Sequence, residues 1–336
     1  MNRHQGSVWV PLWIMLAVFV LGGVSVVVMR MESLTSSGKS FALDVSRQTE
    51  VAESLLQYTE VIPIGLPATD AHALAVSPDG TLIVCGERKV WVLDTNGKVL
   101  KTITPQEKPR CVAVAGSDHP NAGRFYVGCM TSIEVFSADG ESIGSWAVDA
   151  KYPLLTAISL TRENVYVADA GNQTVMVFDL DGVRMGEIGG GYVVPSGYFD
   201  LAAEDNGLVH VVNPGARRVE TYASGGVRES VWGQAGSAMN DFFGCCNPVH
   251  IAMLPGGRFV TSEKGIPRIK VYDDSGKLQS VVAGSEQLLR RESRGDEAVM
   301  SGDVFDIAVD GEGRVLVLDP TADQIRVFIH TREKGV

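Results

Sequence analysis

The chain has 336 residues, 45% of them hydrophobic, and a formal net charge of −11. That length is enough to bury a full core in one large domain. The acidic balance excludes a nucleic-acid partner, which needs a basic surface, and Arg217-Arg218 and Arg290-Arg291 are short islands that do not change it.

Residues 1–30 read as a transmembrane anchor. No charge occurs from Val8 to Met29, and a helix over those residues would rise roughly 33 Å, enough to cross a bilayer core. Arg3 and the α-amine precede the run, and Glu32 closely follows Arg30, which favours an N-in orientation; Trp9 and Trp13 suit the interface on that side. A cleaved leader would have a shorter apolar run ending in a small-x-small site. The expectation is a retained signal anchor, single-pass in the cytoplasmic membrane, with the rest of the chain extracytoplasmic or periplasmic. Residues 31–58 are expected to form a partly helical juxtamembrane linker. Charges cancel through residue 58, so the acidic excess lies wholly in residues 59–336.

Six repeats organise residues 59–336. Their leaders are Leu74-Ala75-Val76, Val112-Ala113-Val114, Ile158-Ser159-Leu160, Leu201-Ala202-Ala203, Ile251-Ala252-Met253 and Ile307-Ala308-Val309. Most are followed by a turn such as Pro78-Asp79-Gly80 or Asp205-Asn206-Gly207 and then by a β-branched or aromatic run. A third alternating strand comes next, as in Val175-Met176-Val177-Phe178, and glycine turns such as Asn96-Gly97 and Asp181-Gly182 lead to a fourth strand in the first five copies. The sixth copy lacks a fourth strand, and Val61-Ile62-Pro63-Ile64 is expected to supply it, closing the ring from the N-terminal side. The predicted fold is all-β, a six-bladed β-propeller preceded by one transmembrane helix.

The stretch Asn164 to Asn172, followed by Val175-Met176-Val177-Phe178-Asp179, resembles the repeat of NHL-type propellers. The run Phe243-Gly244-Cys245-Cys246-Asn247-Pro248 is similar to a loop in bacterial membrane-anchored NHL-repeat proteins, a group with no assigned activity. The wider resemblance implies the fold and admits several functions, among them zinc-dependent peptidylglycolate lyases, RNA-binding domains and extracytoplasmic sensor domains. The zinc lyases need several funnel histidines, whereas the aligned positions here offer His250, with His72 one place early.

Leader spacings of 38, 46, 43, 50 and 56 residues place insertions at Gly233–Val249 and Gly284–Val304. Both are inter-blade loops on the funnel face, as is Gly189–Tyr198, and long loops of this kind are where binding residues collect. The residues just before the leaders are Ala73, Cys111, Ala157, Asp200, His250 and Asp306. The expected ligand-binding face is therefore Asp200, His250, Asp306, Cys111 and His72. Carboxylates and imidazoles there could bind a cation or do acid–base work; as structural groups, the aspartates would accept backbone N–H bonds at blade junctions.

All five cysteines map to the same face. Cys245 and Cys246 are candidates for a vicinal disulfide, or with His250 for a divalent metal site. Two function classes follow. The first is a membrane-tethered binding or protein-interaction scaffold in the cell envelope, taking an envelope protein or a small ligand on its loop-bearing face. The second is a metal- or thiol-dependent envelope enzyme or redox protein using the same face.

Overall fold

The repeats fold as sheets because their second and third strands are short runs of β-branched and aromatic residues, which suit a surface covered on both sides. A computed structural model of the protein describes residues 49–67, 70–289 and 304–331. The expected transmembrane segment and most of the linker lie outside these residues. Among the described residues no helix is long and apolar enough to cross a membrane.

Strands β1 (Tyr58–Glu60) and β2 (Ile64–Gly65) come first. Blade one is β3 (Ala71–Val76), β4 (Leu82–Gly86), β5 (Lys89–Leu93) and β6 (Val99–Ile103), and blade two is β7 (Cys111–Val114), β8 (Phe125–Gly128), β9 (Ser132–Phe136) and β10 (Ser142–Ala147). Blade three holds β11 (Leu155–Leu160), β12 (Asn164–Asp169), β13 (Thr174–Asp179) and β14 (Arg184–Ile188); blade four holds β15 (Leu201–Ala203), β16 (Val209–Asn213), β17 (Arg218–Tyr222) and β18 (Arg228–Trp232). Blade five is β19 (His250–Leu254), β20 (Arg258–Glu263), β21 (Arg268–Tyr272) and β22 (Leu278–Ala283), followed by the short helix α1 (Ser285–Leu289). Blade six is β23 (Asp306–Val309), β24 (Val315–Asp319) and β25 (Gln324–His330), completed by β1 and β2.

The six-bladed propeller is thus observed, with each inner strand touching the next from β3 round to β23 and back to β3. The closing strand lies slightly earlier than expected. Tyr58, Thr59 and Glu60 pair with His330, Ile329 and Phe328, and Ile64–Gly65 rejoins β25 at Ile325 and Gln324. Val61 still donates to the Val327 carbonyl, but Pro63 has no N–H to offer the ladder, so the strand breaks there. Arg326 holds the closure by a bidentate bond to Glu60 at 2.7 and 2.6 Å.

Burial grades outward across blade three: β12 and β13 are almost wholly buried, whereas β14 is exposed except at Ile188. Neighbouring blades lock through outer-strand tryptophans. Trp146 covers Gly182 and Trp232 covers Gly276 so closely that a Cβ at either glycine would fall 2.4 Å from the tryptophan side chain. Both glycines also hold φ of +86° and +78°, so the turn and the close approach select the same residue.

Blade five carries charges inside the protein. Glu263 forms ion pairs of 2.5 Å with both Arg268 and Lys270, and all three side chains are fully buried. Lys270 also donates to the Met239 and Asp241 carbonyls at 3.0 and 2.9 Å, and Tyr272 donates to the Asn240 carbonyl at 3.3 Å. These bonds pin the long loop that carries Cys245 and Cys246. Burial pushes the Lys270 ammonium down to about 8 against the pull of Glu263. Glu263→Gln leaves two buried cations without their anion and should cost about 3–5 kcal/mol. Urea unfolding measures this; a variant as stable as the parent would show that the cluster is not what fixes the loop.

Candidate functional site

The innermost strand of every blade is an edge, with backbone N–H and C=O groups turned toward the central axis and no further strand to pair them. Side chains take the place of that strand. From blade one to blade two, His72 Nε2 donates to the Pro109 carbonyl at 2.9 Å. From two to three, Arg110 Nε donates to the Leu155 carbonyl at 3.2 Å. From three to four, Thr156 Oγ1 donates to the Phe199 carbonyl at 2.6 Å, and Ser159 Oγ accepts from the Ala203 N–H at 2.9 Å. Asp200 on blade four accepts the Ile251 N–H of blade five at 3.0 Å. Asp306 on blade six accepts the Leu74 N–H of blade one at 2.7 Å. The remaining junction, five to six, is spanned by His250.

His250 Nδ1–H points between the two carboxylates, 3.1 Å from Asp200 Oδ2 and 3.4 Å from Asp306 Oδ1. Each aspartate is itself fixed by the N–H of the residue that follows it, Leu201 at 2.7 Å and Ile307 at 2.9 Å. The imidazole is therefore held at one nitrogen, and Nε2 has no hydrogen-bond partner among the described residues. Tyr198 stands edge-on to the ring, with centroids 6.1 Å apart. These groups line a funnel of about 920 Å³ whose wall also includes Arg110, Leu155, Leu318 and Pro320.

Burial disfavours the charged form of His250, but the carboxylates of Asp306 and Asp200 outweigh it, and the imidazole is raised above its ordinary 6.5. Burial also raises Asp306, with the nearby Asp200 charge adding to the effect and His250 opposing it. A histidine raised in the folded state contributes stability that is complete below 6.5 and lost as pH rises through the higher folded value.

Asp200, His250, Asp306 and His72 lie in the funnel as the sequence suggests, and the two aspartates also have the junction role expected of them as structural groups. Cys111 belongs to the funnel wall, yet its thiol is buried, and burial, helped by Cys129, pushes it far above the usual thiol range. Cys85 and Cys129 are core residues of blades one and two. Cys245 is exposed and Cys246 buried, and all five cysteines are unpaired. Cys246 neighbours Lys264 and Ser196, whereas His250 is engaged by the carboxylates. Among the described residues no group of three or more His, Cys, Asp or Glu is placed to hold a metal ion.

Residue-by-residue alignment on the leaders missed Arg110 and Thr156. In blades one and three the inner strand bulges between Ala71 and Ala73 and between Leu155 and Ala157. In blade two Arg110 N–H and Cys111 both address Gly128. A bulge turns the side chain two places before the leader toward the axis, so blades one to three present His72, Arg110 and Thr156, while blades four to six present Asp200, His250 and Asp306.

No protein-family model matches the chain, so the resemblance to NHL repeats rests on the repeat residues themselves. No curated protein matches it either. Solved structures do. A streptogramin B lyase is 14% identical with a TM-score of 0.55, over 83% of this chain and 99% of that one. A catalytically inactive His-to-Ala variant of virginiamycin B lyase from Staphylococcus aureus, with quinupristin, is 12% identical with a TM-score of 0.54, over 81% and 99%. A selenomethionine-substituted virginiamycin B lyase from the same organism gives 13% and 0.55 over the same shares. At these identities the likeness establishes the six-bladed propeller.

The His250 account predicts an imidazole titration above 6.5 by NMR, and a lower midpoint in Asp306→Asn because one flanking charge is gone. A midpoint at or below 6.5 in the parent would contradict it.

Proposed function

We propose that the chain is a membrane-tethered extracytoplasmic propeller that binds a small ligand in its funnel, with His250 Nε2 as the anchoring contact. The observation that carries this reading is an imidazole locked at Nδ1 by two carboxylates and unpartnered at Nε2, in a residue that lines a cavity of about 920 Å³. A pocket of this size, whose wall carries fixed polar groups such as Arg110, Asp200 and Asp306 beside apolar ones, suits a small polar organic molecule. The charge-free run Val8–Met29 supports the tether, and the Asn164–Asp179 stretch supports an NHL-type repeat.

A second reading is an enzyme on the same funnel. A histidine oriented through one nitrogen by a carboxylate is suited to moving a proton at the other. A propeller of this fold, virginiamycin B lyase, has a His-to-Ala variant described as catalytically inactive. Acid–base chemistry at His250 is favoured over a metal centre built from Cys245, Cys246 and His250, because among the described residues these side chains are not grouped to hold an ion.

His250→Asn separates site from scaffold: its side-chain amide can still donate toward Asp200 and Asp306, but nothing replaces Nε2. Native mass spectrometry of the full chain in detergent micelles, incubated with a small-molecule extract of the native envelope, should show a ligand adduct on the parent. The adduct should be lost from His250→Asn while its circular dichroism spectrum remains that of the folded parent. An adduct retained by the variant would place binding elsewhere.

A further inference from the structure

The loop between blades four and five places two thiols side by side at the edge of the funnel. Cys245 Sγ and Cys246 Sγ are 3.0 Å apart, Cys245 is open to solvent, and Cys246 is covered. The backbone around them is anchored on one side by Asn247, whose amide donates to the Phe243 and Lys264 carbonyls at 2.6 and 3.0 Å and accepts the Lys264 N–H at 2.9 Å. Lys264 stands beside Cys246, donates to Ser196 Oγ at 3.0 Å, and rests its ammonium 4.8 Å from the centre of the Tyr198 ring. Tyr198 in turn is the edge-on neighbour of His250. A short chain of contacts thus runs from the thiol pair to the imidazole.

We propose that Cys245 and Cys246 form a reversible dithiol–disulfide couple, oxidised by exchange with an external disulfide, and that closing the bond resets the contact of Lys264 with Tyr198, a residue of the funnel wall. The exposed Cys245 thiolate attacks one sulfur of R–S–S–R, forming a mixed disulfide and releasing RS⁻. The Cys246 thiolate then attacks the Cys245 sulfur, forming the Cys245–Cys246 bond and releasing the second RS⁻. Two cysteine thiols are oxidised, one external disulfide is reduced to two thiols, and the two cysteine protons end on the released groups. Burial and the neighbouring Cys245 sulfur raise the Cys246 thiol, and the Lys264 ammonium partly offsets them.

Reversibility follows from the covalent frame. Adjacent residues across a trans peptide hold their Cα atoms about 3.8 Å apart, below the range of about 4.4–6.8 Å that relaxed disulfides prefer. Strained and exposed disulfides of this kind are the more readily reduced ones. By contrast Cys85, Cys111 and Cys129 are buried, and burial pushes each well above the usual thiol range, so they are protected from the same exchange.

The thiol chemistry stands apart from the funnel reading, and only its effect on ligand binding rests on it. The test treats the full chain with oxidised glutathione, maps cysteines by mass spectrometry, and follows the His250 ring resonances. The expected product has Cys245 and Cys246 joined without added glutathione, the other three cysteines free, and the starting state restored by dithiothreitol. Cys246→Ser should instead trap glutathione on Cys245. His250 resonances should move on oxidation of the parent and return on reduction. No ring closure in the parent, or glutathione left on Cys245 despite Cys246, would overturn the couple; closure that leaves the His250 resonances in place would overturn its link to the funnel. Neither result depends on whether a ligand has been found.

Discussion

The constraint on which the site depends is the unpaired inner edge of the propeller. Six strands meet around an axis too narrow for another strand and too polar to be left bare, so each junction needs a side chain that can replace a missing backbone partner. His72, Arg110 and Thr156 do this by donating to carbonyls, and Asp200 and Asp306 by accepting N–H groups. Placing two aspartates at alternate junctions creates the carboxylate pair between which His250 is held. The functional candidate is thus a by-product of how the ring is closed, and the same bonds that hold the blades together orient the imidazole.

Much of this architecture is legible in the sequence. The leaders, the turns and the strand-three alternation recur six times, and backbone hydrogen bonding leaves few other ways to arrange them. Asp200, His250 and Asp306 could be placed because blades four to six keep an unshifted register at their inner strands. Arg110 and Thr156 could not, because a bulge is a local backbone event with no residue signature in Lys108-Pro109-Arg110-Cys111 or Leu154-Leu155-Thr156-Ala157. The closing strand was displaced for a similar reason: β-branched residues at 61–64 read as a strand, but the unbroken pairing falls on Tyr58–Glu60, upstream of the proline.

Blade five shows a different limit. Arg268-Ile269-Lys270-Val271 alternates like a strand with one wet face, yet Arg268 and Lys270 are completely buried. The loop from Gly233 to Val249 folds over that face, offering backbone carbonyls at Met239, Asn240 and Asp241, and Glu263 supplies the counter-charge. Nothing in strand periodicity anticipates a cover contributed by a distant loop. Its consequence is functional geometry: a loop secured by buried charge–carbonyl bonds keeps the Cys245–Cys246 turn against Lys264 and the Tyr198 wall.

The central claim is that the axial carboxylates are part of the ring and not mobile funnel side chains. Native-state hydrogen exchange at the Leu74 and Ile251 amides tests it directly, since these N–H groups face the axis and have Asp306 and Asp200 as their acceptors. The account predicts that both amides exchange only through global unfolding and that Asp306→Ala exposes Leu74 while leaving Ile251 protected. Rapid exchange of both amides in the parent protein would contradict it.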